Sequence, residues 1–215
     1  VTRDGGGSLV RELTWWARRE GPLRALWRGL RAVRVRLLAA DLFEVYATDL
    51  PPRTLAPGPG PGREVRVMER GQEAALRALV GPRAGARYAA RLRRGDTCLL
   101  CLQDGELAHI TWLNVGRGGL VAVGPDEGYL FDSETLAPFR GQGIHTAMVQ
   151  RRLAHLAHKG CRRAVIGVSR LNGPARRVLR DRLPFTRVGL VLYLCLLGRE
   201  LRLPLPADPG RRAPA

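Results

Sequence analysis

A run of strand character, a turn built on two glycines and a run of helical character follow one another between residues 128 and 156, and this succession constrains the chain more than any other stretch. Gly128-Tyr-Leu-Phe-Asp132 reads as the strand. The turn runs through Pro138, Phe139, Arg140, Gly141, Gln142 and Gly143. Beyond it Val149, Leu153 and Leu156 fall on one helical face, with Ile144 and Met148 beside them. Two glycines let the backbone turn tightly and present successive N–H groups where a helix leaves its first amides without intrahelical acceptors. Such a helix mouth suits an anion, and a diphosphate above all. Arg140 adds a positive charge at the same place. A Walker loop would need Gly-Lys-Ser/Thr, which the sequence lacks. A dinucleotide fingerprint would want Gly or Ala where Thr146 stands, and an acid about 20 residues further on.

Around this stretch strands and helices alternate. Residues 64–68 read as a strand, 71–80 and 84–93 as helices parted by Gly81-Pro82, and 97–102 with 106–115 as two strands about Asp104-Gly105, a strong hairpin signal. Residues 118–123 carry a further short strand pattern. After the glycine turn and its helix, 164–168 reads as an apolar strand, Asn172-Gly-Pro174 opens a helix through Ala175, Val178 and Leu179, and 188–197 gives a final strand.

The amino-terminal 50 residues read differently. Ser8 is a candidate N-cap for a helix carrying Leu9, Leu13 and Trp16. Gly21-Pro22 breaks it and starts a second, in which Leu23, Leu26, Trp27, Leu30 and Val33 make an apolar stripe. This basic hairpin is expected to pack on the main domain or on a second subunit, so homodimerisation is left open. Peripheral contact with an anionic membrane is the alternative its charge allows. A strand pattern at 42–48 follows, and then the Pro/Gly run of 51–62 interrupts everything. The expected organisation is therefore a hairpin plus strand over 1–50, a linker over 51–62, a main domain over 63–198 and a Pro-rich tail over 199–215.

Charge is informative chiefly by its distribution. The chain carries 36 Lys and Arg against 19 Asp and Glu, but only Lys159 is a lysine, a skew that points to a GC-rich genome more than to nucleic-acid binding. Between residues 140 and 187 twelve basic residues face a single acid, Asp181, so an anionic ligand of the glycine turn meets a favourable field. Nucleic acid as a partner is discounted. Cys98 and Cys101 sit at an odd offset on a strand, which points them to opposite faces, and no second pair at metal spacing exists; no metal site is expected. No secretory signal is visible, and the longest uncharged run, 188–198, has 11 residues, too few to span a bilayer. A reducing cytoplasm is the expected compartment.

The turn Pro138-Phe-Arg140-Gly141-Gln142-Gly143-Ile144-His145 resembles the pyrophosphate loop of the GNAT superfamily of acyl-CoA-dependent N-acyltransferases, Arg/Gln-x-x-Gly-x-Gly/Ala after a Pro. It departs at the last position, where His145 replaces a small residue. The order of elements over about 63–198 is similar to the same fold, as are Asn172-x-x-Ala175 and Leu183-Pro184-Phe185, the latter where the family shows Leu-Gly-Phe. The resemblance implies an α/β (α+β) GNAT fold, a mixed sheet of about six to seven strands flanked by helices, with the amino-terminal hairpin as an extension.

It further implies transfer of an acyl group, usually acetyl, from acetyl-CoA or another acyl-CoA to the amine of a small molecule or peptide. The amides of Gly141, Gln142, Gly143, Ile144 and His145, with Arg140, would hold the diphosphate. The backbone around Glu134 and Leu136 would pair with the pantetheine arm, and Asn172 would approach that arm or simply cap its helix. Amine attack needs a proton acceptor. Glu134 is the first choice and Asp132 the second, followed by His109 and His145; His155 and His158 read as exposed helix residues. The family Tyr that protonates the departing thiolate falls at Leu179, so that group is missing, and Tyr193 is a candidate substitute. Two other classes stay in view, a non-catalytic acyl-CoA sensor and a basic nucleic-acid-binding protein.

Overall fold

The computed structural model describes residues 38–50, 60–80, 82–196 and 199–205. The amino-terminal hairpin, most of the Pro/Gly run and the end of the tail lie outside these residues. The chain divides into two compact units, the larger comprising Phe43–Val191, and the smaller including Leu192–Leu205 and residues up to Leu42. Among the described residues there are eight strands and four helices: β1 (Leu38–Asp49), β2 (Arg63–Met68), α1 (Glu73–Val80), α2 (Pro82–Arg93), β3 (Thr97–Gln103), β4 (Glu106–Val115), β5 (Glu127–Thr135), α3 (Ile144–His158), β6 (Arg163–Ser169), α4 (Gly173–Arg182), β7 (Thr186–Leu196) and β8 (Arg199–Leu205).

In the larger unit the sheet runs β2-β3-β4-β5-β6-β1-β7. The ladder from β2 to β5 is antiparallel; a tight turn joins β3 to β4, whereas α1 and α2 lie between β2 and β3 and an irregular segment lies between β4 and β5. Asp104 (φ 51°) and Gly105 (φ 83°) supply the two left-handed residues that a two-residue hairpin turn needs between β3 and β4. The β5–β6 pair is parallel, and α3 makes the crossover that parallel pairing requires. Helices α3 and α4 lie on one face, where Ile144, Met148, Val149, Leu156 and Leu179 pack with Leu99, Leu113, Leu130 and Ile166. Helices α1 and α2 cover the other, packing Leu76, Tyr88 and Leu92 on Leu100, Ile110 and Trp112. Cys98 belongs to the second layer and Cys101 to the first, on opposite faces as their odd offset requires.

Three features differ from the sequence reading. The strand ahead of the Pro/Gly run is longer than 42–48 and does not stand apart from the main domain. Its part Phe43–Asp49 pairs antiparallel with β6, from Phe43↔Ser169 to Asp49↔Arg163. Residues 118–123 form no strand: Gly118 turns left-handed (φ 71°), Asn114 holds it through paired side-chain hydrogen bonds of 2.9 and 3.0 Å, and Leu120, Val121 and Val123 cover Tyr129 and Val165 from an irregular segment. The carboxy-terminal tail begins with an extended segment, β8, exposed throughout. The strand total accordingly exceeds the expected six to seven.

Gly128 sets the distance between sheet and helix near the carboxyl end of α3. A Cβ there would stand 2.3 Å from both Cδ atoms of Leu156, which is fully buried. Gly128→Ala is expected to lower stability by about 1–3 kcal/mol through overpacking, read as a reduced denaturant midpoint with an unchanged m-value.

Candidate active site

At the end of β5 the Leu136 N–H donates to the Ala108 carbonyl (2.9 Å) and the Leu136 carbonyl accepts from the Phe139 N–H (3.0 Å), closing one 3-10 turn over Ala137–Phe139. Both backbone groups of Leu136 are thereby taken within the protein. Gly141 (φ 79°) and Gly143 (φ 74°) then adopt left-handed backbone, and Gly143 stands at the N-cap of α3 with no side chain capping the helix. A Cβ at either glycine would meet nothing within 4 Å. The dihedral angle, not packing, therefore calls for glycine, and the space over the loop is open to a ligand. Arg63, far away in sequence on β2, donates to Gln142 Oε1 (3.1 Å) and to its carbonyl oxygen (3.5 Å), which buttresses the loop. Arg140 folds back, its Nε donating to the Thr135 carbonyl (3.0 Å).

Beside the loop the sheet comes apart. Strands β5 and β6 pair only from Glu127↔Arg163 to Leu130↔Ile166. Beyond that point β6 remains paired with β1, through Val45↔Gly167 and Glu44↔Val168. Strand β5 instead bends: Ile110 pairs with Glu134 and Trp112 with Phe131, leaving Asp132 and Ser133 opposite Thr111 alone. This is a β-bulge, and Asp132 sits in it with φ 41°. A wedge opens between the carboxyl ends of two parallel strands, the place where open α/β sheets take ligands.

A polar layer backs the bulge on the α3 side. His109, fully buried on β4, shares hydrogen bonds with Thr135 Oγ1 through Nδ1 (2.7 Å) and with Ser133 Oγ through Nε2 (3.1 Å). Ser133 Oγ also meets His145 Nδ1 (3.1 Å), so one hydroxyl joins two imidazoles whose ring centres lie 5.8 Å apart. Arg152, two turns further along α3, is fully buried. Its Nη1 reaches the Trp112 carbonyl at 3.5 Å, while Nε and Nη2 have no partner among the described residues. Burial pulls its guanidinium down to about 9, still cationic at neutral pH. Burial first, and then the Arg152 charge, press His109 down to about 3 and His145 down to about 4. Both rings are neutral near pH 7.

On the opposite face Arg91 of α2 donates to Asp132 Oδ2 at 2.5 Å. Its guanidinium carbon lies 5.2 Å from the Trp112 ring centre and 5.3 Å from that of Phe131. The bulge is thus flanked by one arginine from each helical layer. Of seven buried side-chain atoms without a partner among the described residues, five belong to Arg91, Thr111, Trp112 and Arg152 around this bulge, which marks it as the polar centre of the interior.

The residues singled out from sequence are placed unevenly. The glycine loop, Asp132, Glu134 and His145 come together around the end of β5, where Asp132 and Glu134 are both exposed. Asp132 takes left-handed backbone within the bulge, and its carboxylate is held by Arg91. Asn172 Oδ1 accepts from the Ala175 N–H (3.2 Å), capping α4. Leu179 is core, 1% exposed. Tyr193 belongs to the smaller unit, where burial and a hydrogen bond to Glu200 push its hydroxyl up to about 12. His155 is not an exposed helix residue: it is half-buried, with Nε2 3.7 Å from Glu69. Ser133, Arg152, Arg91 and Arg63 were not singled out from sequence. Arg152 alone had a local signal, an arginine four residues after Met148 and four before Leu156 on the apolar stripe. Among the described residues no cluster of three or more His, Cys, Asp or Glu could hold a metal ion, and no helix is long and apolar enough to cross a membrane.

The family model of the acetyltransferase (GNAT) family matches residues 68–183, more than half of the chain. The chain belongs to this family. Among solved structures, a GCN5-related N-acetyltransferase from Sphaerobacter thermophilus is similar at TM-score 0.54 and 17% identity, over 83% of this chain and 57% of that one. A putative acetyltransferase from the GNAT family of Novosphingobium aromaticivorans is similar at TM-score 0.52 and 17% identity, over 72% and 63% respectively. At these identities the likeness speaks to the fold, and the chain spans less than two thirds of either neighbour's length. No curated protein matches the chain. The glycine loop, the bulged strand and both helices on the α3 side fall inside the matched GNAT region.

The neutral imidazoles have a measurable consequence. An unfolded imidazole titrates near 6.5, above the folded values of about 3 and about 4. Between those limits the unfolded chain binds more protons, so the contribution to stability is complete above about pH 6.5 and is lost as pH falls below it. The urea midpoint is expected to decline from about pH 6.5 towards 4.5, with a shallower slope in His145→Gln.

Proposed function

We propose that the protein transfers an acyl group, acetyl in the simplest case, from acyl-CoA to an amine by direct attack. The observation that carries this reading is the wedge between β5 and β6 opening beside a helix mouth with two left-handed glycines over open space. The residues fit a coenzyme A diphosphate, because the loop amides offer donors, no Cβ fills the cradle, and Arg63 and Arg140 bring charge to its edge. The unpaired edge of β5 beyond Leu130 can hold the pantetheine arm as an added strand would be held. Leu136, whose backbone groups are already committed, would contribute through its side chain.

In the reaction the acceptor nitrogen attacks the thioester carbonyl carbon, the C–S bond breaks, the sulfur leaves as a thiolate and the nitrogen gives up a proton. Glu134 is the proton acceptor we assign: it is exposed beside the bulge and makes no side-chain ion pair among the described residues. Asp132 is second, since its carboxylate is shared with Arg91. A different reading, binding of acyl-CoA without turnover, is favoured by Leu179, whose place in the core leaves α4 without the family's hydroxyl for the departing thiolate.

Titration with coenzyme A and thiol release over an amine panel separate the two readings. Gly141→Ala and Gly143→Ala force a side chain onto left-handed backbone and into the cradle. Each is expected to weaken coenzyme A binding at least about tenfold while the melting temperature moves by only a few degrees. Unchanged affinity in both would remove the loop from the reading. Glu134→Gln is expected to lower kcat by about 100-fold with little effect on coenzyme A affinity, and an unaltered rate would dismiss it as base. Tight binding with no thiol release from any amine would favour the sensor.

A further inference from the structure

We propose that His145 couples occupation of the glycine loop to uptake of a proton: a diphosphate held there draws a proton from solvent onto the His145 ring, at the head of a hydrogen-bonded chain through Ser133 to His109. The inference rests on the loop being the diphosphate site.

His145 belongs to two structures at once. Its main-chain amide is in the uncapped first turn of α3, part of the cradle. Its ring Nδ1 lies 3.1 Å from Ser133 Oγ, inside the polar layer. Ser133 continues to His109 Nε2 (3.1 Å), and His109 Nδ1 to Thr135 Oγ1 (2.7 Å). Position 145 is also where the loop departs from the small residue of the motif it resembles, so the ring is a property of this chain.

Among the described residues the charge that acts on the ring, that of Arg152, opposes its protonation. Arg152 of its own helix is a fully buried cation with two bare nitrogens, and β4 contributes the titratable neighbour His109. Arg140 of the loop is turned to the Thr135 carbonyl. From β5 come only the hydroxyls of Ser133 and Thr135, since Asp132 is tied to Arg91 on the other face and Glu134 is exposed. Among the described residues no carboxylate balances Arg152, and the ring is neutral in the free protein. Two or more negative charges on the adjoining amides reverse that field.

The chain has room for the proton. His145 Nδ1–H donates to Ser133 Oγ, the Ser133 hydroxyl donates to His109 Nε2, and His109 Nδ1–H donates to Thr135 Oγ1. Each group then has one role, and His145 Nε2, which has no partner among the described residues, is left with the lone pair that takes the proton. The protonated ring requires this direction of the chain and fixes it.

The test is calorimetric titration of the full chain with 3′-dephospho-coenzyme A, whose only phosphates are the diphosphate, in two buffers of unlike ionisation enthalpy near pH 6. The wild type is expected to take up a substantial fraction of a proton. Its affinity is expected to rise about threefold or more between about pH 7.5 and 5.5. His145→Gln, which keeps the amide, is expected to bind with no uptake and a flat pH profile, and Ser133→Ala to lose at least about half of the uptake, since its missing hydroxyl removes the acceptor for Nδ1–H. Binding of the wild type without uptake overturns the coupling and leaves the loop standing. Uptake unchanged in His145→Gln overturns it too, and if that variant does not fold, unchanged uptake in Ser133→Ala does so. Failure of the wild type to bind the probe overturns the loop reading and this inference with it.

Discussion

The parallel ladder between β5 and β6 ends after Leu130, and the rest of the site depends on that early ending. Continuous pairing would close the sheet and leave no edge for a ligand. It stops because two residues of β5, Asp132 and Ser133, share a single partner on β4, and Asp132 takes a backbone conformation that costs a non-glycine residue of the order of 1 kcal/mol or more. That strain is held from outside the strand. Arg91 fastens the Asp132 carboxylate from one face, while Ser133 is gripped by two imidazoles on the other. The bulge also delivers the chain to the glycine loop, so the wedge and the cradle are two results of one irregularity.

The interior near this irregularity is unusually polar for a small sheet domain. A buried guanidinium with two nitrogens that find no partner among the described residues is costly, several kcal/mol by general experience. Burial first, and the Arg152 charge second, keep His109 and His145 uncharged and so leave ring nitrogens available as hydrogen-bond acceptors. With neutral rings one imidazole donates to the Ser133 hydroxyl and the other accepts from it, whereas two cationic rings would leave the hydroxyl proton without a ring acceptor.

How much of this was legible in the sequence follows from which signals are local. The glycine loop was legible because left-handed backbone before a helix selects Gly, and Gly141 and Gly143 do take it. The opposite orientation of Cys98 and Cys101 followed from strand periodicity alone. The bulge was hidden, since Asp132-Ser133 contains no glycine and the residue they share, Thr111, lies across the sheet on β4. Arg63 was hidden by the 79 residues that separate it from Gln142. Residues 118–123 carried a strand's composition, but Gly118 and the Asn114 side chain bend them into a cover over Tyr129. The pairing of β1 with β6 could not be read across a Pro/Gly run that composition marks as a border.

That last pairing changes how the chain can be cut. Residues 43–49 are wedged between β6 and β7, upstream of a run that looks like a natural place to trim. A shortened protein starting near residue 60 would lose a central rung, baring the hydrogen-bonding edges of two neighbours and the apolar side chains that Tyr46 and Val45 now shelter. The strand over 43–49 is mortar between courses of the wall, seated inside the sheet instead of at its margin.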